Sequence, residues 1–346
     1  MTSSLLPSVS VVGATGYAGG ELVALLSRHA GVSLGPLYSG PGGARVPFSR
    51  LHRSLSGRAG PDALPLDIDA LLEAEPAAVF LATPNEVSAD VAPLLLDWDP
   101  KLKVIDLSGA FRLARAEDYP AWYGFPHPRP DLLAEAVYGL PEWMDDRPGP
   151  ARLVANPGCY PTSVLLAIKP LLPLLDETQA VVCDCKSGSS GAGKRDDVAF
   201  SFSEVAGNLR AYGAGTHRHE PEMRQQLGLS PDAPFVFVPH LLPAVRGVLS
   251  TVHVGFERAV DPGELEALYR DSYGASPLID VYPHGALPDL NAVVGTPRAA
   301  IGYSMVAKGR RAVVVCVIDN LLKGAASQAV QNLNRLFGFA EAEGLS

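Results

Sequence analysis

Residues 9–19 read Val-Ser-Val-Val-Gly-Ala-Thr-Gly-Tyr-Ala-Gly, an apolar run followed by three spaced glycines. Val9–Val12 has the composition of a buried strand, and a helix-like segment, Gly20–His29, follows the glycines. Glycines let the backbone turn tightly and approach a ligand, while the helix N-terminus offers N–H groups to a phosphate. The spacing is G-x-x-G-x-x-G rather than G-x-G-x-x-G, so an ordinary strand–helix turn is the alternative. The strand before and the helix after favour a dinucleotide-binding turn. We predict that the cofactor contacts Gly13, Thr15, Gly16, Tyr17, Ala18 and Gly19.

The chain beyond this turn has two differently patterned parts. In the first part, strand-like segments alternate with helix-like ones, which predicts a Rossmann-type, doubly wound parallel sheet in an α/β domain. The strand-like segments are Leu34–Tyr38, Ala78–Thr83 and Lys103–Leu107, and a helix-like segment is Val87–Leu96. From Asn156 the pattern predicts an α+β domain with a mostly antiparallel sheet; its segments are a helix, Thr162–Leu175, and strands Ala180–Lys186, Phe235–Pro239, Leu249–Phe256 and Ala312–Asp319. The tail, Leu322–Phe337, is apolar at helical spacing and is expected to return to the first domain.

Composition and charge restrict the class of protein. The 346 residues are 47% hydrophobic and 19% charged, as in a globular protein, and the net charge of −9 disfavours a broad nucleic-acid or membrane surface. Met1–Ser10 lacks a basic segment ahead of an apolar one, and no apolar run approaches ~18 residues, so we expect a cytoplasmic protein. The four cysteines have no disulfide or zinc spacing, so we expect no metal, and Cys183 and Cys185 are interpreted as strand residues.

The end of the second predicted strand indicates which nicotinamide cofactor binds. NAD sites usually place an acidic residue there, but this chain has Leu-Tyr-Ser-Gly at 37–40, so no carboxylate repels a 2′-phosphate. Ser39 could donate a hydrogen bond to that phosphate, and Arg45 is the nearest cation in sequence. We therefore predict NADP. Pro84 follows another strand and Asn320 follows the last one, where each could contact the cofactor or be a turn residue.

The stretch Asn156-Pro157-Gly158-Cys159-Tyr160-Pro161-Thr162 is the most informative for chemistry. Proline and glycine make a turn, Cys159 follows it, and an apolar helix begins at once. The dipole and the N–H groups of a helix N-terminus favour a thiolate, and the same N–H groups can hold an oxyanion. Most cysteines are inert core residues, but this local geometry indicates that Cys159 is a nucleophile.

Residues 217–222, His-Arg-His-Glu-Pro-Glu, supply candidates for an acid/base partner. His217 and His219 are two apart and would point to one side of an extended segment. Pro221 suits the first turn of a helix that also contains Glu222. A metal cluster or a solvated loop is the alternative, but no further ligand pattern accompanies the two histidines.

Two arginines lie in apolar surroundings. Arg112 follows a strand end, and Arg246 is flanked by Val245 and Gly247, which suggests a clamp for a carboxylate or phosphate or, alternatively, a buried structural ion pair. The loop Ser187–Gly193 is rich in small residues but does not match a P-loop, because Lys194 is followed by arginine. Its backbone at Ser190 and Gly191 could bind an anion or the nicotinamide.

These residues together resemble one family, the N-acetyl-gamma-glutamyl-phosphate reductases of arginine biosynthesis. The resemblance covers nearly the whole chain and depends on Gly13–Gly19, Asp106–Arg112, Asn156–Thr162, Ser187–Gly193, His217–Glu222, Arg246–Leu249 and Asp319–Gly324. It implies an NADP-binding Rossmann domain over residues 1–155, completed by a C-terminal helix at 322–346. It also implies a catalytic and dimerisation domain of the aspartate-semialdehyde dehydrogenase type over 156–321, and a homotetramer.

The resemblance further implies a reaction and its residues. The reaction is the NADPH-dependent reduction of N-acetyl-L-glutamyl 5-phosphate to the 5-semialdehyde through a cysteine thioester, with release of phosphate. Cys159 would be the nucleophile and His217 the acid/base, and the substrate would be surrounded by Arg112, Asn156, His219, Glu222 and Arg246. Alternatives are the reduction of another acyl phosphate (aminoadipyl or aspartyl), an NADP sensor without turnover, and a cysteine hydrolase. Only geometry can decide between His217 and His219.

Overall fold

The structure, a computed structural model, describes residues 6–144, 151–194, 197–230 and 232–345. The chain forms two compact units. The first unit comprises Met1–Pro157 and Ala325–Ser346, and the second comprises Gly158–Gly324. The second unit is therefore a single insertion into the first, beginning one residue before Cys159.

A parallel sheet forms the centre of the first unit. Its seven strands within the described residues are β1 (Ser8–Val12), β2 (Ser33–Tyr38), β3 (Ala63–Leu64), β4 (Ala78–Leu81), β5 (Lys103–Asp106), β6 (Val137–Tyr138) and β7 (Leu153–Ala155). All pairs are parallel, in the order β3-β2-β1-β4-β5-β7-β6. Strand order reverses between β1 and β4, and ligands bind beyond the carboxyl ends of strands at such a point. The predicted doubly wound sheet is confirmed.

Helices surround this sheet, and the last one comes from the end of the chain. They are α1 (Tyr17–Leu26), α2 (Ile68–Glu73), α3 (Asn85–Trp98), α4 (Tyr119–Trp122), α5 (Pro130–Glu135) and, after the second unit, α10 (Ser327–Phe337). Helix α10 packs on α1. Just after α1, His29 Nε2 forms a hydrogen bond with Asn334 Oδ1 of α10 at 2.8 Å, so a buried polar contact ties α10 to the segment that follows the first helix.

A mixed sheet forms the centre of the second unit. Its seven strands among the described residues are β8 (Val181–Ser187), β9 (Arg210–Ala211), β10 (Phe235–Leu241), β11 (Val248–Gly255), β12 (Ile279–Val281), β13 (Ala299–Val306) and β14 (Arg311–Ile318), in the order β12-β13-β14-β11-β8-β10-β9. The pairs β8–β10 and β12–β13 are parallel, and the other four are antiparallel. The mostly antiparallel sheet predicted from the sequence is confirmed.

The second unit contains α6 (Cys159–Ile168), α7 (Phe202–Val205), α8 (His219–Leu227) and α9 (Pro262–Tyr273). Helix α6 was expected to run from Thr162 to Leu175; it begins at Cys159 and ends at Ile168, and a 3₁₀ helix, Lys169–Leu174, continues the segment. The reason is Pro170, which has no N–H to donate to the carbonyl of Leu166. Tyr273 Oη donates to that carbonyl instead at 2.7 Å, and Tyr269 Oη donates to the carbonyl of Ala167 at 2.6 Å. The two tyrosines are four residues apart on α9, so one helix face satisfies both carbonyls.

Two further boundaries differ from the sequence prediction. His219 begins α8 instead of lying in an extended segment with His217. The tail from Leu322 to Phe337 is not one regular helix, since residues Leu322–Ala326 form a π-helical turn before α10. Among the described residues, no helix is both long enough and apolar enough to cross a membrane.

Candidate active site

The glycine-rich turn links β1 to α1 in the first unit. Gly13 has φ +87°, and a Cβ there would lie 2.3 Å from the carbonyl oxygen of Ala82 after β4. A Cβ on Gly19 would lie 2.1 Å from the carbonyl oxygen of Gly13. The fold itself therefore requires both glycines.

Gly16 differs from these two glycines. Its Cβ would meet only the Gly13 carbonyl oxygen, at an ordinary 3.4 Å, and Gly16 caps α1 without a side-chain hydrogen bond. No side chain caps α1 at Gly16, and a helix N-terminus that follows a glycine turn fits the phosphates of a dinucleotide. Thr15 completes this turn, and Tyr17 and Ala18 are the first helical residues.

Ser39 and Arg45 follow β2, where the sequence predicted the 2′-phosphate site. Ser39 is buried and its Oγ donates to the carbonyl of Leu64 at 3.1 Å. Arg45 is exposed and forms an ion pair with Asp62 at 2.7 Å. The predicted role of Ser39 as a donor would require that hydroxyl to leave Leu64. The feature that still favours NADP is the absence of a carboxylate in residues 37–40.

The turns after β4 and β5 are held together. Pro84 precedes α3, and Asn85 Oδ1 accepts a hydrogen bond from the N–H of Gly109 at 2.8 Å. Asp106 at the end of β5 accepts from Ser108 N and Oγ at 3.0 and 2.7 Å. Burial raises the pKa of Asp106 and the hydrogen bonds from Ser108 oppose this shift. These contacts order the backbone at the carboxyl edge of the sheet.

Arg112 and Asn156 are both buried in the first unit. Arg112 donates from Nε to the carbonyl of Asn156 at 2.8 Å and from Nη2 to the carbonyl of Leu107 at 2.7 Å. The amide of Asn156 donates to the carbonyl of Ala325 at 3.3 Å and accepts from Asn332 at 3.0 Å. Both predicted substrate residues thus bind neighbouring groups of their own unit and fix the backbone just before Gly158.

Cys159 is the first residue of α6. It is partly exposed, whereas the other three cysteines are buried. Gly158 caps the helix without a side-chain hydrogen bond. The thiol therefore lies at the helix N-terminus, where the dipole favours a thiolate, and is accessible to a reactant.

Glu222 holds the turn that carries the nucleophile. It is fully buried in α8, and its Oε1 accepts a hydrogen bond from the N–H of Gly158 at 2.9 Å. The resemblance implied contact with substrate, but the structure assigns one carboxylate oxygen to the backbone next to Cys159. Glu222 thereby fixes α8 against the start of α6.

The two histidines meet at an aromatic cluster. Their ring centroids are 4.7 Å apart, and the ring of Tyr160 makes edge contacts with both. Tyr212 and Phe237 also contact His217, at 5.7 and 5.4 Å between centroids. The charge of Cys159 acts on Tyr160 and Tyr212, the two tyrosines that contact His217, so the cluster lies near the nucleophile.

The structure determines the protonation of His217. The N–H of His219 donates to Nδ1 of His217 at 3.1 Å, so the neutral ring carries its proton on Nε2. Burial, assisted by the charge of Arg218, lowers the pKa of His217 to about 4. His217 is consequently a neutral hydrogen-bond donor at pH 7. His219 is the more buried of the two, at 8% exposure.

Arg246 is bound to an acidic side chain of its own unit. Its Nε and Nη2 donate to the two carboxylate oxygens of Asp319 at 2.9 and 3.1 Å, and Asp319 is fully buried. Of the two interpretations left open by the sequence, the buried ion pair is present.

Three of the predicted cofactor residues lie together, namely Ser190, Gly191 and Asn320. Asn320 Nδ2 donates to Ser190 Oγ at 2.9 Å and would lie 3.6 Å from a Cβ on Gly191.

No group of three or more His, Cys, Asp or Glu side chains that could hold a metal ion occurs in the part of the chain described. The clustered groups are instead one thiol, two imidazoles, phenol hydroxyls and a carboxylate bound to backbone. Such a set suits covalent and acid/base chemistry.

Known proteins match the chain along nearly its whole length. The family model "Semialdehyde dehydrogenase, NAD binding domain" matches residues 8–148, and "Semialdehyde dehydrogenase, dimerisation domain" matches 159–320. The N-acetyl-gamma-glutamyl-phosphate reductase of Halorhodospira halophila is 45% identical over 97% of both chains, and that of Heliobacterium modesticaldum is 42% identical over the same shares. The chain belongs to the N-acetyl-gamma-glutamyl-phosphate reductase family. This family places it among the oxidoreductases that use a nicotinamide cofactor.

Solved structures share the fold of this reductase-family chain. Aspartate semialdehyde dehydrogenase II of Vibrio cholerae superposes with a TM-score of 0.71 at 18% identity, covering 97% of this chain and 99% of its own. The aspartate semialdehyde dehydrogenase of Candida albicans, solved with NADP, gives 0.68 at 16% identity, covering 96% and 98%. At this identity the comparison supports the fold alone.

Sequence reasoning about this reductase-family chain did not identify roles for Tyr160, Tyr212, Asp319 and Gly324. The two tyrosine hydroxyls are 3.1 Å apart beside the histidines, and burial raises the pKa of Tyr212 to about 12. A Cβ on Gly324 would lie 2.7 Å from Cys159 Cβ, so this glycine packs against the nucleophile. No local pattern signals these contacts, because they join segments 52 to 165 residues apart in sequence.

Proposed function

We propose that the chain reduces N-acetyl-L-glutamyl 5-phosphate to N-acetyl-L-glutamate 5-semialdehyde with NADPH and releases phosphate. Membership of the reductase family supports this substrate. One structural observation carries the covalent route, the accessible thiol of Cys159 at the N-terminus of α6 beside a histidine pair. The proposed domain roles are cofactor binding for residues 1–155 with 322–346, and catalysis for 156–321.

NADP is proposed as the cofactor, held by the turn Gly13–Gly19 and by Ser39, Pro84, Ser190, Gly191 and Asn320. The absence of a carboxylate in residues 37–40 supports NADP over NAD, and so does the fold relative solved with NADP. When bound, NADPH supplies the hydride for the reduction. The chain's own task is to form on Cys159 the acyl thioester that accepts this hydride.

Cys159 carries out the first step of the proposed mechanism. Its thiolate attacks the acyl carbon, the developing oxyanion is stabilised by backbone N–H groups, and the bond to phosphate breaks. The product is a thioester on Cys159, which is a better hydride acceptor than a carboxylate. Reduction gives a thiohemiacetal, whose collapse regenerates the thiolate and releases the semialdehyde.

His217 is proposed to serve the oxygen of these intermediates. Its Nε2 carries the proton, because Nδ1 accepts from His219, so Nε2–H can hold the thiohemiacetal oxyanion by a hydrogen bond until the oxyanion collapses and expels the Cys159 thiolate. The partial exposure of His217 supports this residue over the buried His219. The proposed surroundings of the substrate remain Arg112, Asn156, His219, Glu222 and Arg246. Glu222 also fixes the backbone next to Cys159, because it accepts the N–H of Gly158.

We also propose a cytoplasmic homotetramer. All four cysteines are thiols, as in proteins of reducing compartments. The match to a dimerisation domain supports self-association of the second unit. Val236 on β10 is 44% exposed next to the half-buried Val182 of β8, which leaves apolar sheet surface for a second copy. Light scattering of the purified chain measures the assembly.

The test is nicotinamide absorbance in the reverse direction, with N-acetyl-glutamate 5-semialdehyde, phosphate and NADP. We expect reduction of NADP that depends on phosphate, and a weaker signal with NAD or with aspartate semialdehyde. Faster turnover of another semialdehyde would assign the substrate to a related acyl phosphate. No turnover with any of them would leave an NADP sensor and refute the proposal.

A variant tests the covalent step. Cys159→Ser should lose nearly all turnover, by a factor of at least ~10³, while NADP still binds, because serine lacks the nucleophilicity of a thiolate. Cofactor binding is measured by fluorescence titration. Cys316→Ser is the control, because that cysteine is buried in β14, and it should keep wild-type kcat. Full activity of Cys159→Ser would remove the thioester from the mechanism.

A further inference from the structure

Asp319 is a buried connector at the end of β14. Besides its two contacts with Arg246, its carboxylate accepts hydrogen bonds from the N–H groups of Gly295 at 2.8 Å, Leu321 at 2.8 Å and Leu322 at 3.2 Å. Its main-chain carbonyl accepts from the N–H of Gly324 at 2.9 Å. One residue therefore holds three loops, and its negative charge is satisfied inside the unit.

Asn320 extends this connector to the loop Ser187–Gly193. Its Oδ1 accepts from the N–H of Gly247 at 2.7 Å, and its Nδ2 donates to Ser190 Oγ. Gly188 also donates to the carbonyl of Gly247 at 2.9 Å, and a Cβ on Gly188 would lie 2.7 Å from the backbone of Val245. The small-residue loop is therefore fixed against the segment that carries Arg246.

The connector reaches the nucleophile through Gly324. The turn from Asp319 to Gly324 is closed by hydrogen bonds to Asp319, and Gly324 packs on Cys159 with no room for a Cβ. One closed turn thus joins Asp319 to Cys159. The chain of contacts is Arg246, Asp319, Gly324 and Cys159.

We propose that Arg246 and Asp319 are positioning residues for Cys159 and that Arg246 does not anchor the anionic group of the substrate. The Nε/Nη2 edge of Arg246, which would fit a carboxylate or phosphate, is occupied by Asp319. A substrate anion placed there would face the negative charge of Asp319. This inference rests on the proposed function for the identity of the site and changes the role of one of its residues.

The test is a double-mutant cycle of Arg246→Gln, Asp319→Asn and the combined variant. Each single variant should lower kcat about 100-fold, the cost of a displacement near 1 Å at a reacting group, with KM for the semialdehyde within about threefold of wild type. The combined variant should lose no more than either single one, because both remove the same link. Asp280→Asn, which breaks the Arg298–Asp280 pair of the same unit, is the matched control with wild-type kcat and KM.

A second readout requires no substrate. Alkylation of Cys159 by iodoacetamide at fixed pH should become several-fold faster in Asp319→Asn, because the turn no longer covers the thiol, and stay unchanged in Asp280→Asn. This arm remains valid if the proposed substrate is wrong, so the two failures are distinguishable. Arg246→Lys keeps the charge beside buried Asp319 but loses the two-point geometry, so it should fold and show an intermediate kcat with unchanged KM.

Two results would overturn the inference. One is a large rise in KM for Arg246→Gln with near wild-type kinetics for Asp319→Asn, which would make Arg246 a substrate anchor. The other is folded variants with wild-type kcat and wild-type alkylation rates, which would limit the pair to stability. If Asp319→Asn does not fold, Arg246→Lys decides by the same KM and kcat criteria.

Discussion

Replacing Gly324 by alanine perturbs the nucleophile through a single methyl group. The new Cβ would lie 2.7 Å from Cys159 Cβ and 3.3 Å from Cys159 Cα, whereas ordinary contacts begin at 3.4 Å. Neither atom is the end of a flexible side chain, since Cys159 belongs to α6. The turn and the helix must therefore separate by about 0.7 Å.

That displacement sets the size of the effect. A misplacement near 1 Å costs about 100-fold in rate, and 100-fold corresponds to ~2.7 kcal/mol in the activation free energy. We expect Gly324→Ala to lower kcat by roughly 30- to 100-fold. NADP should still bind, because the proposed contacts at Gly13–Gly19 lie outside this turn.

The assay is steady-state kinetics in the reverse direction, with circular dichroism to verify the fold. Gly263→Ala is the matched control, because Gly263 lies at the start of α9 and its Cβ would meet only Asp261 Oδ1, at 3.1 Å. Its kcat should equal that of wild type. A folded Gly324→Ala protein with wild-type kcat would refute the steric reasoning and weaken the link from Asp319 to Cys159.

Three other changes have defined outcomes. Burial lowers the pKa of His217 in the folded protein, so the folding stability gained from a neutral ring is fully present above pH ~6.5 and is lost as the pH falls towards 4. In urea titrations at pH 7 and pH 5, the free energy of unfolding should fall less for His217→Gln than for wild type, and equal losses would contradict this. Tyr273→Phe should cost ~1–2 kcal/mol in the same titration, because the carbonyl of Leu166 is left without that donor, while kcat is retained. Gly19→Ala should abolish NADP binding or folding, since its Cβ would overlap the Gly13 carbonyl; normal NADP affinity would show that the turn can adapt.

The fold was predictable where local pattern and packing agree. The apolar runs of β1, β4 and β5 are buried on both faces of a parallel sheet, which is why they are continuous in sequence. The end of α6 was not predicted, because the segment after Ile168 stays apolar although its prolines end the helix. Tyrosines from α9, about 100 residues away, satisfy the carbonyls released there.

The candidate site was predictable only where residue type and local turn suffice. The thiol of Cys159 after a Pro-Gly turn and the histidine pair are local features, and both lie in one cluster in the structure. The sequence did not reveal the partner of Arg246, because Asp319 is 73 residues away. In the structure, the Asp319 carboxylate occupies the guanidinium edge that an external anion would need. The sequence also did not reveal the partner of Glu222, because that partner is the backbone N–H of Gly158, 64 residues away.

The class of the chain and its reactive groups follow from local pattern, because strand and helix periodicity, glycine spacing and a cysteine at a helix start are properties of neighbouring residues. What each polar group binds depends on segments that are far apart in the chain. Buried carboxylates and guanidiniums must satisfy their charges, and the partners that do so come from distant segments brought together by folding. That is why the tautomer of His217, the pairing of Arg246 and the closeness of Gly324 to Cys159 are visible only in three dimensions.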